Sequence, residues 1–261
     1  MSTATGQILA AAQFTTPITQ IQGSPEGNLI AAVSTPGSTV TLTSSQDLSV
    51  VSTLVTAAGP VDVEFSPDGA RLYVTCSAER TIQVFDLAAG AALSQATTVA
   101  STPTDAVILS DGSRLAVALP ETTSLLVLDA TTLIEEGRAG VAPGSSRVAT
   151  VAFAHSTKPV LVVTSEAADT ITLVDQGTLD VLKTLSARDP GEATGDLSPF
   201  ALIAKGGTHV AAHDVDPLSP RFGETRAATF TTAGLAMFAV NQGTGTCVAL
   251  SADRLKLVLT Q

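Results

Sequence analysis

An all-β fold built from one repeated four-stranded unit is what this sequence predicts, and three observations predict it. The stretch Phe65-Ser66-Pro67-Asp68-Gly69-Ala70-Arg71-Leu72-Tyr73-Val74-Thr75 recurs along the chain with a period of about 43 residues. Each recurrence keeps one order: an apolar run, a Pro/Asp/Gly turn, a second apolar run, a polar turn and a third run closing on Asp. No segment of useful length carries apolar residues at helical spacing. A unit of this size holds about four strands and cannot bury its faces alone. Radial stacking of such units makes a β-propeller, which leaves only short sheet edges. A β-solenoid is the weaker alternative because its rungs are usually shorter, and two stacked sandwiches give no reason for the repeat.

Six units follow in order, with blades starting near residues 17, 60, 103, 147, 197 and 245. Ser24-Pro25-Glu26-Gly27 matches Ser66-Pro67-Asp68-Gly69 at 42 residues, and Ser110-Asp111-Gly112 sets Asp111 against Asp68 at 43. From there Arg71 meets Arg114, Leu72 meets Leu115, Val74 meets Val117 and Asp86 meets Asp129. The fourth unit shows Val151-Ala152-Phe153, Leu161-Val162-Val163-Thr164 and Thr170-Ile171-Thr172-Leu173-Val174-Asp175, the last copying Thr81-Ile82-Gln83-Val84-Phe85-Asp86. A much altered fifth runs from Pro199-Phe200 through Gly206-Gly207 to His213. The sixth has Ser251-Ala252-Asp253 before Leu257-Val258-Leu259-Thr260. Weaker fourth strands, such as Ala92-Leu93-Ser94-Gln95-Ala96-Thr97, complete the units. Val, Ile and Thr dominate the runs, as suits a pleated, half-buried surface. Residues 6–17 resemble the fourth strand and linker from Gly90 to Pro103. Residues 1–16 are therefore expected to close the last blade, shared between the N- and C-termini, which avoids a free edge. Only Met1 to Thr5 is left for that blade's third strand: a three-stranded blade, a fragment of a longer chain and a strand supplied by a partner all fit.

Composition narrows the class. At 44% hydrophobic, 261 residues suffice for one domain with an ample core, and with 3% aromatics, no Trp and one Tyr, aliphatic side chains must fill it. A net charge of −11 argues against nucleic acid, whose phosphates demand clustered Lys and Arg, and against anionic membrane surfaces. No apolar run approaches the roughly 20 residues of a membrane helix, and the first residues do not read as a signal peptide. A cytoplasmic chain is the simplest expectation, with a processed secreted form carrying an added Met as the alternative that would read the same. Cys76 should end a second strand and Cys247 open a first strand in a separate blade, an arrangement that favours free thiols over a disulfide.

Tyr73-Val74-Thr75-Cys76 resembles the signature of the YVTN-type β-propeller repeat, with Cys where that signature has Asn. The Ser-Pro-Asp-Gly turn before it, the Thr-Ile-Gln-Val-Phe-Asp strand after it and Asp175-Gln176-Gly177-Thr178-Leu179-Asp180-Val181-Leu182-Lys183-Thr184-Leu185 match the same repeat. The resemblance covers residues 17 to about 185 well and the remainder poorly. WD-repeat propellers are a more distant match, since no unit carries Trp-Asp or Gly-His. The resemblance implies the fold specifically and activity hardly at all. Propellers of this kind include surface-layer and adhesion modules, lactonases and subunits of redox enzymes.

Candidate chemistry is thin. His209 and His213 lie near Asp214 and Asp216, but on a strand they stand roughly 13 Å apart, too far to share one zinc ion with His nitrogens at about 2 Å. His155 reads as a solvated turn residue. Asp62 and Asp105 occupy equivalent positions at the start of first strands, with Glu64 on the same face as Asp62. First strands line the channel of a propeller, so a resemblance to calcium-dependent gluconolactonase-type propellers would give these acids a metal role. Such a site needs several oxygen ligands, whereas Gln20, Thr150 and Cys247 stand at the matching positions elsewhere. The blander reading pairs Asp62 and Asp105 with backbone donors between blades. Asp86, Asp129 and Asp175 recur at the ends of third strands, which suits acceptors for the following turn. No Gly-x-Ser-x-Gly elbow, Gly-Lys-Ser/Thr loop or haem motif is present, and Gly243-Thr244-Gly245-Thr246 opens no helix.

Two polar, Pro-containing loops, Ser186 to Asp196 and Asp214 to Arg226, interrupt the repeat. Binding residues often sit on such loops, although drift or a flexible tip explains them equally. Arg221, Phe222 and Arg226 are the contact anchors they offer. The expectation is a non-catalytic scaffold binding a protein partner, with no cofactor and no metal. The alternatives are a metal-dependent lactonase-like hydrolase and a structural or assembly subunit.

Overall fold

The computed structural model describes residues 11–151, 159–165, 167–168 and 170–186, and beyond them the backbone of six strands within 200–260. Every regular element among them is a strand. Two compact units divide at Thr104 and Asp105. The first holds two four-stranded sheets: β1 (Gln20–Gly23), β2 (Leu29–Ser34), β3 (Thr39–Ser44), β4 (Val50–Val55), then β5 (Pro60–Phe65), β6 (Arg71–Cys76), β7 (Thr81–Asp86), β8 (Ala92–Thr98). The second unit opens with β9 (Asp105–Ile108), β10 (Arg114–Ala118), β11 (Ser124–Asp129) and β12 (Glu135–Gly140). A fourth sheet has β13 (Ser145–Val151), β14 (Val160–Ser165), β15 (Thr170–Asp175) and β16 (Val181–Ser186). A fifth has β17 (Phe200–Lys205), β18 (His209–Asp214), β19 (Thr225–Thr231) and β20 (Gly234–Ala239), and β21 (Cys247–Leu250) pairs with β22 (Leu257–Thr260). All sheets are antiparallel meanders in chain order.

The strand counts follow from the sequence pattern. In the first four sheets the second and third strands are largely buried on both faces, which is why Leu72-Tyr73-Val74-Thr75-Cys76 and Val160-Leu161-Val162-Val163-Thr164-Ser165 read as continuous runs rather than alternating ones. The fourth strands β4, β8 and β12 are mostly exposed, which is why their signal is weak. The cores lie between sheets facing each other. In the first unit Ala31, Val33, Val40, Leu42 and Leu54 meet Val63, Phe65, Leu72, Val74, Cys76 and Phe85. In the second, Leu109, Ala116, Ala118, Leu125, Val127 and Ala139 meet Val148, Leu161, Val163 and Val174. Aliphatic side chains fill the second core, and in the first they surround Phe65, Phe85 and Cys76.

The recurring turns explain the recurring residues. In Ser66-Pro67-Asp68-Gly69, the Ser66 hydroxyl accepts the Arg71 amide at 2.9 Å, Asp68 accepts the Ala70 amide at 3.0 Å, and Gly69 takes φ +67°. These bonds hold the Asp68 carboxyl below its ordinary value, chiefly through the Ser66 hydroxyl. After third strands, Asp86 accepts the Ala89 amide, Asp129 those of Thr131 and Thr132, and Asp175 those of Gly177 and Thr178. The expected turn role of these aspartates is therefore met in all three.

Two expectations need correction. Of the expected loop from Asp214 to Arg226, Asp214 ends strand β18 opposite Phe200, Thr225 opens β19 opposite His213, and Arg226 pairs within β19 with Ala212 and Ala239. Ser186 is the last residue of β16 opposite Thr170. In both places the ladder extends into residues that look polar in sequence, because backbone pairing does not depend on apolar side chains. The segment 1–10, expected to help close the last blade, lies outside the described residues, as do His155, Arg221 and Phe222.

Candidate functional site

First strands stand side by side: β1 beside β5 in the first unit, β9 beside β13 and β13 beside β17 in the second. This neighbourhood fixes the acidic candidates. Asp62 is buried on β5, and its Oδ1 accepts the side-chain amide of Gln20 at 3.1 Å. Two residues further along the same face, Glu64 Oε2 faces the Gln22 amide at 3.5 Å. Gln20 and Gln22 each stand 42 residues before their partner, so repeat-equivalent positions touch across adjacent strands. The sequence reading counted Gln20 as a gap in an acidic set; here it is a hydrogen-bond donor to that set.

Asp105 opens the second unit and is buried as well. Its Oδ2 accepts the Val148 backbone amide at 2.7 Å, and its Oδ1 lies 3.6 Å from the Arg147 guanidinium. The carboxylate thus joins β9 to β13, the between-strand backbone pairing that the blander reading assigned to it. Replacing Asp105 by Ala leaves a buried amide without this acceptor and Arg147 without this counter-charge. The expected cost is about 2 kcal/mol, read as a lower urea midpoint at unchanged m-value, with Asp105→Asn recovering part of it because one amide oxygen still accepts.

The histidine pair fits the strand expectation. His209 and His213 both lie on β18, opposite Lys205 and Ala201, and the strand rise between them is incompatible with one shared ion. Among the described residues, no three His, Cys, Asp or Glu gather as a metal ion would need. Cys76 ends β6 as a free buried thiol, and burial pushes it up to about 12, with the Glu79 charge acting in the same direction. A thiol so far above its ordinary value is protonated and unreactive at neutral pH. Cys247 begins β21, a first-strand position as expected.

A cleft that sequence reading missed lies in the second unit. It has a volume of about 310 Å³ and is lined by Asp111, Arg114, Pro159, Asp175, Gln176, Gly177 and Thr178. Partial burial pushes the Asp111 carboxyl up, but the amide and hydroxyl of Ser113 and the charge of Arg114 outweigh it and hold the group below its ordinary value. Arg114 Nη2 donates to the Gln176 carbonyl at 2.7 Å. The buried Gln176 amide accepts from the Ser110 backbone at 3.0 Å and donates to the Val160 carbonyl at 3.2 Å. These bonds tie the first turn of the third sheet to the last turn of the fourth, so the lining is occupied with holding the sheets together.

No protein-family model matches the chain. No curated protein matches it either. Solved structures do. Hydrazine synthase of Kuenenia stuttgartiensis is similar at 16% identity and a TM-score of 0.70, over 90% of this chain and 70% of that one. The β-propeller domain of Cps50 (Swd1) from Myceliophteria thermophila is similar at 15% identity and 0.62, over 95% and 71%. A chain of the mitotic checkpoint complex matches at 15% identity and 0.68, over 95% and 73%. Likeness at these identities shows the fold: all-β, four-stranded antiparallel sheets in the manner of a β-propeller. It supports propellers in general and not the YVTN type in particular. Among the described residues, no helix is long and apolar enough to cross a membrane.

Proposed function

We propose that this chain is a non-catalytic β-propeller scaffold that mediates protein–protein interaction. What carries the reading is the work the acidic candidates already do. Asp105 joins β9 to β13 through the Val148 amide, and Asp62 takes the Gln20 amide, so both acids serve joints between first strands. A lactonase-like hydrolase would need such groups turned together toward one ion. One similar structure is by name a complex, the mitotic checkpoint complex, which supports a role in assembly. Six blades of the YVTN type belong to the same proposal, supported by the period of about 43 residues and by Tyr73-Val74-Thr75 lying on β6 directly after its Ser-Pro-Asp-Gly turn. The contact anchors are Arg221, Phe222 and Arg226, since Arg and aromatic side chains are favoured at interface centres.

The experiment is thermal unfolding after chelation and then with calcium, zinc, manganese or magnesium. An ion at 1,000 times its dissociation constant stabilises by about 4.1 kcal/mol, or roughly 8–16 °C at about 2–4 °C per kcal/mol. The expected shift is under about 1 °C for every ion, well inside what weak nonspecific binding produces. A rise of many degrees with one ion would overturn the scaffold reading in favour of a metal-dependent hydrolase. In parallel, in-cell crosslinking should capture a defined protein with the wild-type chain and lose it with Arg221→Glu and Phe222→Ala together.

A further inference from the structure

We propose that Asp68–Gly69 and Asp111–Gly112 are isomerisation sites that folding closes: left unfolded, the chain converts them to isoaspartate and cannot rebuild their turns. Asp-Gly occurs only at these two places in the chain. Glycine has no side chain to shield its nitrogen and leaves the backbone free to bring that nitrogen to the carboxyl. In the reaction the Gly nitrogen attacks the Asp Cγ, and its proton leaves with the carboxyl hydroxyl as water. A five-membered succinimide remains. Water then adds to the main-chain carbonyl of that ring, and the bond from this carbonyl to the Gly nitrogen breaks. The product has the starting mass, one extra backbone atom and a free carboxylate on the aspartate Cα. No oxidant, reductant or cofactor takes part.

Both aspartates lie exposed in turns between first and second strands, so burial does not protect them. Hydrogen bonding does. The attacking N–H of Gly69 is held on the Ser66 carbonyl at 2.8 Å, and that of Gly112 on the Leu109 carbonyl at 2.8 Å. The carboxylates are engaged elsewhere. Asp68 Oδ1 accepts from the Ala70 amide at 3.0 Å and from the Ser66 hydroxyl at 2.5 Å. Asp111 Oδ1 accepts from the Ser113 amide at 3.0 Å. Attack needs these bonds broken. Both carboxyls also lie below their ordinary value, and an ionised carboxylate has no hydroxyl to lose as water. The matching turn of the first sheet isolates the role of aspartate. There Glu26 precedes Gly27, which keeps the same carbonyl bond, to Ser24 at 2.9 Å, and φ +71°. Its carboxyl stands one methylene further out and would have to close a slower, six-membered ring. The turn therefore forms with either acid, and only aspartate can isomerise readily. In the third sheet the consequence is wider. An extra backbone atom beside Gly112 displaces Arg114, whose Nη2 holds the Gln176 carbonyl at 2.7 Å, so isomerisation there undoes a joint to the fourth sheet.

The whole chain is incubated folded in reducing buffer and unfolded in guanidinium chloride at the same pH. Peptide mapping with electron-transfer fragmentation then distinguishes isoaspartyl from aspartyl peptides of equal mass. Unfolded, Asp68 and Asp111 should both accumulate isoaspartate while Glu26 stays unchanged. Folded, both should form it at least roughly tenfold more slowly, because two or more hydrogen bonds must open first. Ser66→Ala should raise the folded-state rate at Asp68 about fivefold relative to Asp111 in the same chain. Refolding yield should fall as isoaspartate accumulates. Asp68→Glu with Asp111→Glu gives both turns the acid of the first sheet and should hold its refolding yield over the same period. Folded and unfolded chains that isomerise alike, a Ser66→Ala chain with an unmoved ratio, or a double variant whose yield decays like that of the wild type would overturn the proposal.

Discussion

Replacing Gly59 by alanine should lower the unfolding free energy by about 3 kcal/mol, which two separate effects produce. Gly59 precedes β5 with φ at +72°, a conformation in which a Cβ costs roughly 1–2 kcal/mol. A Cβ built there would also lie 2.8 Å from both the backbone nitrogen and the Cβ of Ala78. The nitrogen cannot rotate away, so the chain must shift, an overpacking cost of roughly 1–3 kcal/mol. Any such shift disturbs the Gly59 carbonyl, which accepts the Ser77 amide at 2.7 Å and the Ser77 hydroxyl at 3.0 Å. Gly69 separates the two effects: its φ is +67°, but a Cβ there meets nothing within 4 Å. Gly69→Ala should therefore cost only about 1 kcal/mol. Equal urea midpoints for the two variants would show that the contact with Ala78 contributes nothing. Gly144, at the matching place before β13, has φ +74°, and a Cβ built there would lie 2.5 Å from the Ala167 Cβ, so Gly144→Ala should follow Gly59→Ala and not Gly69→Ala.

Self-comparison of the sequence finds what the units share, and what they share is the strand and turn framework. The Ser-Pro-Asp-Gly turn is legible because every unit must reverse the chain there. Asp86, Asp129 and Asp175 are legible because each caps the same turn. The joints between units were harder to see, though a signal existed. Gln20 with Asp62, Gln22 with Glu64 and Asp105 with Val148 each stand one period apart. When equivalent first strands stand side by side, residues one period apart become neighbours, so the alignment that made them look interchangeable also made them touch. Periodicity also overstated the loops. Thr225 and Arg226 look polar beside the Pro217 and Pro220 segment, yet they join the β19 ladder, whose backbone bonds are indifferent to side-chain polarity.

Gln176 is the opposite case, a residue whose importance comes from being unlike its equivalents, and its loss should cost about as much as a cavity in the core. Its repeat positions hold Ser45, Leu87 and Ala130, and all four share a backbone bond to the turn between their own first and second strands. The Gln176 side chain is the one that hydrogen-bonds in both directions, accepting the Ser110 amide of the preceding sheet while donating to the Val160 carbonyl of its own. Gln176→Leu keeps the bulk and removes both bonds. At about 1–2 kcal/mol for each polar group left without its partner, the expected loss is about 3 kcal/mol, or roughly 6–12 °C in the unfolding midpoint. Thr178→Ala, at an exposed position in the same turn, should stay within about 0.5 kcal/mol of wild type. The cleft supplies a second readout. If Gln176 holds the third and fourth sheets together, amide exchange in Gln176→Leu should rise at Ser110, Gly112 and Arg114 as well as at Gly177 and Thr178, because the two turns are released together. Exchange that rises in the Gln176 turn alone would mean that Arg114, through its bond to the Gln176 carbonyl, joins the sheets without the glutamine side chain.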